Sequence, residues 1–290
     1  MSHAESRLLQ CLVHVQSHLD GDLSLDALAK VAGLSPGHLH RTFTARIGET
    51  PKAYVSRLRL ERAALSLWLR NATVGAVAKE VGFGRHETFT RAFRRRYGVP
   101  PTAFKSRGAT ALGSFEPGRQ PASSGLQSGY ALSATRVVTL EDKHLAFIRH
   151  LGPYESVPDS IFDELQRWAR GRGIGGHRPL LGIGHDPPGL TPPERLRFDA
   201  AVMLDGPVKA DGDVGYQLLR GRRYAFTTHV GPYSTLVPAY MEIVGRLAAM
   251  PGVTFVGVPV VEMYHETRID STLEFNHTDL YLPLAPGVPS

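Results

Sequence analysis

The sequence predicts a multidomain protein: an all-α part carrying two helix-turn-helix units, followed by an α+β part of two repeats related by a pseudo-twofold axis. Three observations lead there. Arg41, Phe43, Gly48, Pro51 and Tyr54 recur as Arg91, Phe93, Gly98, Pro101 and Phe104, each at an offset of 50 residues. Leu-Ala-Phe-Ile-Arg-His-Leu-Gly-Pro-Tyr at 145–154 recurs as Tyr-Ala-Phe-Thr-Thr-His-Val-Gly-Pro-Tyr at 224–233, with six of ten positions identical at an offset of 79. Between the two repeat systems, the composition shifts to Gly, Ser, Pro, Ala and Gln, which marks a flexible linker. The expected boundaries are 1–108, a linker over 109–130, and 131–290.

In the first part, residues 8–19 read as a leading helix. Leu25, Leu28, Ala29 and Ala32 follow at helical spacing. Gly33 breaks that helix and Ser35 caps the next, which runs from Pro36 to Ile47 with Leu39, Phe43 and Ile47 on one face. Gly48 closes it. A long helix over Pro51–Leu69 buries Tyr54, Leu58, Ala64, Leu65 and Leu69. The second unit repeats the plan: Thr73 caps Val74–Val81, Gly82 turns, and Arg85–Tyr97 is the second exposed helix. Ala29 and Gly33 recur as Ala78 and Gly82 at an offset of 49, so the second unit has one extra residue after its turn. A closing helical segment runs from Pro100-Pro101 through Lys105.

In the second part each repeat reads as a strand, a Gly-Pro turn and a helix. Val157, Ile161, Leu165 and Trp168 align with Leu236, Tyr240, Val244 and Leu247, and both sets trace an apolar helix stripe. Strand-like runs follow at Leu180–His185 and Arg197–Leu204, then at Phe255–Tyr264 and Thr278–Leu282.

Charge divides unevenly. Residues 1–110 hold 17 Lys+Arg against 8 Asp+Glu, a net of +9, and the remainder holds 16 against 19, a net of −3. The basic first part points to a polyanionic partner. No apolar run is long enough to cross a bilayer, and Met1–Arg7 lacks the order of a signal peptide, so a cytoplasmic location is expected. Cys11 is the single cysteine, which excludes an intrachain disulfide and a cysteine zinc site; with Leu8, Leu12 and Val15 it reads as a packed thiol. No HExxH, P-loop or GxSxG occurs. Gly171-x-Gly173-x-x-Gly176 follows a helix rather than a strand and reads as a loop. His265-Glu266 and His277-x-Asp279 have metal-ligating side chains, but ordinary surface residues account for them; no metal and no cofactor are expected.

Residues 25–105 resemble the DNA-binding domain of the AraC/XylS family of bacterial transcription regulators. The first motif is carried by Ala27-Leu28-Ala29, Gly33-Leu34-Ser35, His38 through Phe43, and Gly48 through Pro51. The second is carried by Val74–Ala78, Val81-Gly82-Phe83, Phe89 through Arg94, and Tyr97 through Pro101. Residues 131–290 are similar to the GyrI-like effector-binding domain, through both Gly-Pro-Tyr turns, Arg197-Phe198-Asp199, Glu262-Met263-Tyr264 and Thr278 through Leu284. The order, DNA-binding part first, resembles the Rob-like arrangement.

The resemblance implies that double-stranded DNA is read by the second helix of each unit, at His40 and Arg41 and at Arg85, His86 and Arg91, with Arg94 and Arg95 at the C-terminal end of the latter. Gly37 departs from the larger side chains usual at its place. Arginine suits guanine O6 and N7 in two-pronged fashion; an intradomain salt bridge is the alternative for Arg41 and Arg91, and a solvated cationic helix end for at least one of Arg94, Arg95 and Arg96. Two such helices about 34 Å apart meet successive major grooves.

In the second part, strand alternation puts Val260, Glu262 and Tyr264 on one face. A carboxylate among apolar neighbours must be paired or face a wet groove. The GyrI-like resemblance implies the groove, and with it a small, cationic or amphipathic effector held by Glu262 and Tyr264 among Tyr154, Trp168, Phe198, Tyr233 and Tyr281. Structural packing is the alternative for the aromatics, Tyr154 and Tyr233 included.

Three functions stay open at this point. The first is a sequence-specific transcription regulator that senses such a ligand. The second is a GyrI-like small-molecule hydrolase fused to a DNA-binding domain, with Glu262 as general base; no orienting partner for that base is visible in the sequence, and no catalytic residue is assigned. The third is an interaction module docking on a protein such as RNA polymerase or a topoisomerase.

Overall fold

The computed structural model describes residues 3–70, 72–107, 129–174, 178–257, 259–266 and 269–286. Of the expected linker, residues 109–128 lie outside the described residues, as does Gly176 of the glycine-rich loop. The chain forms two compact units, one helical and one built on a sheet.

The helical unit contains α1 (His3–Ser17), α2 (Leu25–Ala32), α3 (Pro36–Ile47), α4 (Pro51–Leu69), α5 (Val74–Glu80), α6 (His86–Tyr97) and α7 (Pro101–Arg107). Local chemistry starts and stops them. Ser24, Ser35, Thr50 and Thr73 each accept a hydrogen bond from the backbone N–H three residues on, at 3.2–3.4 Å, and so satisfy a donor that the first turn leaves free. Gly48 and Gly98 occupy the left-handed region after α3 and α6 (φ 75° and 76°), where a side chain would be strained, and donate back to Thr44 and Arg94. The leading helix begins five residues before the apolar stripe that signals it, because its first turn is polar.

Leu39 and Phe43 on α3, and Phe89 and Phe93 on α6, are fully buried. The same spacing in both repeats therefore anchors each exposed helix by the same face. Cys11 is buried beside Leu8, Leu12 and Val15, and burial pushes its thiol up to about 12. Helix α4 is the spine. It packs on α3, α5, α6 and α7, and its 19 residues span about 28 Å. Arg57, buried within it, is held by Glu49 at 2.6 Å and Glu61 at 3.1 Å. Glu61 also meets Arg96 of α6 at 3.5 Å, which ties the second helix-turn-helix to the spine.

The second unit contains β1 (Ala131–Leu132), β2 (Arg136–Leu140), β3 (Lys143–Leu151), α8 (Ser160–Gly171), β4 (Leu180–Gly184), β5 (Arg197–Leu204), β6 (Val214–Leu219), β7 (Arg222–Gly231), α9 (Leu236–Ala248), β8 (Val260–Tyr264) and β9 (Asn276–Pro283). They form one sheet in the order β1-β7-β9-β8-β4-β5-β3-β6, with β2 also on β7. The order is symmetric about the β8–β4 junction. Strands β2 and β3 match β6 and β7 at an offset of 79, and Leu180–Gly184 matches Val260–Tyr264 at an offset of 80. Strands β2 and β6 were not expected; they lie outside the identical ten-residue segment, though the same offset maps Leu140 onto Leu219.

Each repeat gives its first strand to the other. Strand β2 pairs with β7, and β6 pairs with β3. Only Glu141 and Asp142 separate β2 from β3, a reach of about 10 Å. In a flat sheet the six strand spacings between them would measure about 29 Å. The sheet must therefore curl until its ends meet. Asp142 seals that meeting: it accepts from the Gly221 N–H at 2.7 Å and from Arg220 at 3.0 Å, on the turn between β6 and β7.

Both Gly-Pro-Tyr turns are built alike. Gly152 takes a positive φ of 141° that glycine tolerates. Ser156 and Thr235 donate to the carbonyls of Pro153 and Pro232 at 2.6 and 2.7 Å, so each hydroxyl accepts from a histidine, His150 Nε2 at 3.1 Å and His229 Nε2 at 2.8 Å. Burial pulls His229 down to about 4, which keeps it neutral with its proton on Nε2. Helices α8 and α9 follow these turns and pack on one face of the sheet, α8 on β3 and β5 and α9 on β7.

Candidate functional site

His40 and Arg41 on α3, and His86, Arg91, Arg94 and Arg95 on α6, are all exposed, as is Arg85 just ahead of α6. The buried Leu39/Phe43 and Phe89/Phe93 faces force them outward. Among the described residues neither Arg41 nor Arg91 pairs with a carboxylate, so the salt-bridge alternative finds no partner. Arg96 does: it lies against Glu61 and over the Tyr97 ring at 5.4 Å, as a packed tie rather than a solvated end. On α6, His86, Glu87, Thr90, Arg91, Arg94 and Arg95, with Gly98 just after it, line a shallow concavity. On α3 the Arg41 guanidinium leans over Gly37, where a methyl would stand 3.7 Å from Nη1, and the small residue leaves it that room.

The second site is centred on Glu262. On β8 it is opposite Gly182 of β4 and Leu280 of β9, and all three share the face that carries the helices. The carboxylate is buried. Tyr240 of α9 donates to Oε1 at 3.0 Å and Tyr264 to Oε2 at 2.5 Å. Burial raises its pKa above the usual carboxylate range, with the two phenol hydrogen bonds opposing that shift. No basic side chain among the described residues pairs with it. Burial, and then the charge of Glu262, hold Tyr240 and Tyr264 well above the ordinary phenol value. Both phenols stay protonated and donate to the carboxylate.

Aromatic rings wall the carboxylate. Tyr264 meets Tyr233 and Phe162 edge-on at 5.5 Å, and Phe162 and Tyr154 meet Phe198 at 6.4 and 6.1 Å. The structure thus brings Glu262, Tyr264, Tyr154, Phe198 and Tyr233 together. It also fixes Tyr154 from behind: its hydroxyl donates to the Asp186 carbonyl at 2.7 Å. Two expected residues stand elsewhere. Tyr281 is opposite Val261 and Phe226, on the other face from Glu262, and packs on Phe226 and Tyr224. The alternation that groups Val260, Glu262 and Tyr264 applies to β9 as well, and there it excludes Tyr281. Trp168, near the end of α8, stacks with Arg172 at 4.9 Å, and no described contact joins it to the ring cluster.

Sequence reasoning missed Tyr240 and Phe162 in this site. The signal for Tyr240 was present, since it puts a phenol in an apolar helix stripe where the first repeat has Ile161. Phe162 carries no polar tip and reads as core. The far face of the sheet carries a second symmetric feature, a His–Asp pair in each repeat: His185–Asp199 at 2.6 Å and His265–Asp279 at 3.0 Å. Arg149 holds the first and Thr228 the second. Among the described residues no set of three or more His, Cys, Asp or Glu is placed to hold an ion.

Two exposed cationic helices anchored alike, joined in one chain to a curled sheet with a buried carboxylate among aromatic rings, fit a DNA-binding transcriptional regulator with a small-molecule-binding domain. Comparison with known proteins agrees. A helix-turn-helix domain model matches residues 28–107, and the model of the GyrI-like small molecule binding domain matches residues 133–285, more than half of the chain. The chain belongs to the GyrI-like small molecule binding domain family, with an AraC-type helix-turn-helix domain ahead of it. It is similar to the transcriptional regulator Rob of Salmonella typhimurium, 26% identical over 90% of this chain and 91% of that protein. It is also similar to the HTH-type transcriptional regulator Rv1931c of Mycobacterium tuberculosis, 42% identical over 78 residues, 27% of this chain and 30% of that protein. Among solved structures it is similar to the DNA-binding domain of AdpA in complex with a target DNA, 25% identical, covering 35% of this chain and 91% of that one with a TM-score of 0.34. No helix among the described residues is long and apolar enough to cross a membrane.

Proposed function

We propose that the aromatic cluster around Glu262 binds a small cationic or amphipathic molecule, and that its occupancy regulates sequence-specific DNA binding through α3 and α6. One observation carries the reading. A buried carboxylate is costly unless an opposite charge meets it, and among the described residues Glu262 is met by two neutral phenols and no cation, beside rings whose faces suit one. An incoming cation supplies the missing charge, and the rings supply apolar area.

Tetraphenylphosphonium and the anion of matching size, tetraphenylborate, test this by titration calorimetry. The cation should bind and the anion should not. Glu262→Gln keeps the shape, removes the charge, and should weaken the cation by tenfold or more, about 1.4 kcal/mol or above. Equal uptake of both ions, or an unchanged affinity in Glu262→Gln, sinks the reading. The hydrolase alternative is not favoured, because both Glu262 oxygens already accept from phenols. Contact with RNA polymerase is a proposal of the same kind, supported by the regulator class.

A further inference from the structure

Gly182 stands in the middle of β4, directly opposite Glu262. It occupies the place that Glu262 fills in the other repeat. A glycine inside a strand packs nothing, and it often marks a point where another group comes close. Gly182 is not among the glycines with positive φ, so its backbone does not require glycine. Its surroundings do. A Cβ at this position would overlap the Tyr264 hydroxyl, and would lie 2.6 and 2.9 Å from Cζ and Cε2 of Phe198. Neither ring is free to yield. Tyr264 is wedged edge-on between Tyr233 and Phe162, and Phe198 between Tyr154 and Phe162. The hydroxyl over Gly182 is the one that donates to Glu262 Oε2. Gly184, two residues on, is different: a Cβ there would meet Val260 Cγ2 at 3.1 Å and the Tyr154 hydroxyl at 3.5 Å, a tight but tolerable fit.

We propose that Gly182 is a specificity-determining residue of the cluster around Glu262: the slot left by its missing side chain holds the Tyr264 hydroxyl against Glu262, and so sets how that carboxylate meets a cationic ligand. The proposal rests on the cation reading above and adds the residue that tunes it. Gly182 acts through Tyr264, so it is a positioning residue with respect to the ligand.

The test is a double-mutant cycle on the full chain, with tetraphenylphosphonium affinity read by calorimetry for wild type, Gly182→Ala, Tyr264→Phe and the double variant. Gly182→Ala should weaken binding about tenfold, and Tyr264→Phe by a similar factor. The double variant should lose no more than about threefold beyond either single one, because both substitutions break the same hydrogen bond. Gly184→Ala should stay within about threefold of wild type, because a Cβ there meets Val260 and Tyr154 and neither group that bonds Glu262. Thermal unfolding verifies that each variant is folded. Should Gly182→Ala not fold, the same substitution in a Phe198→Leu background removes the second clash, keeps the one with Tyr264, and must still show the loss relative to Phe198→Leu. Losses that multiply in the double variant, or a Gly182→Ala that binds like wild type, overturn the role of Gly182 alone. Absence of tetraphenylphosphonium binding by wild type overturns the cation reading itself, and with it the role of Gly182.

Discussion

Glu262 shows at the scale of one residue how a buried carboxylate opposes the fold that carries it. Burial raises its pKa above the unfolded value of 4.5. The folded state therefore holds the Glu262 proton more tightly than the unfolded chain does. The stabilisation from this linkage is present at low pH and is lost as pH rises through the folded value. Above that value the charged side chain works against folding. Glu262→Gln should then raise the melting temperature at about pH 8, by a few degrees if the gain is about 1 kcal/mol. The gain should shrink as the pH falls toward about 4, where wild-type Glu262 is itself neutral. Thermal unfolding of both proteins across that range checks it. A gain that grows on acidification would mean that the folded state lowers this pKa. Stability surrendered at a binding residue is common where affinity needs an unpaired charge.

At the scale of elements, the helix-turn-helix units are identical in anchoring and different in what they expose. The fully buried Leu39/Phe43 and Phe89/Phe93 pairs set the same outward face for α3 and α6. Arg41→Ala and Arg91→Ala should each weaken specific DNA binding by roughly 1–3 kcal/mol, and weaken non-specific binding less. Gel-shift titrations against operator and random DNA separate the two, and equal losses would make that arginine a phosphate contact. These helices were legible in the sequence because caps, closing glycines and buried aromatics are local signals that recur at 50 residues. The same was true of β3 and β7, where the repeat is strong. Strands β2 and β6 were not legible, because each is stabilised by a partner in the other repeat and shares only Leu140 and Leu219 along that register. The cluster around Glu262 was half legible. Alternation finds Glu262 and Tyr264, but whether an aromatic joins them depends on which face of its own element it occupies, and Tyr281 shows the cost of not applying alternation to every strand.

For the whole molecule, the separation of a basic helical part from an acidic remainder makes two predictions with one origin. Residues 1–108 alone should bind DNA, since every candidate contact and the net charge of +9 over 1–110 lie there. Limited proteolysis of the full chain should cut between 109 and 128 and release two folded pieces, because that stretch offers little apolar surface to bury. Mass spectrometry of the fragments and their melting curves decide it; cleavage within either piece first would place the boundary elsewhere.

The exchange of β2 and β6 has a consequence for ancestry. One repeat alone lacks the strand that completes its sheet, so an unduplicated ancestor would have been a homodimer of identical halves. In such a dimer the position of Glu262 faces its own copy across the β8–β4 junction, because Glu262 and Gly182 are direct cross-strand partners. Two carboxylates at a spacing of about 5 Å repel, and neither copy can change without the other. Fusion into one polypeptide removes that constraint. It lets one half keep the acid while the other gives up its side chain, and a single buried charge to one side of an axis is something only a broken symmetry can provide.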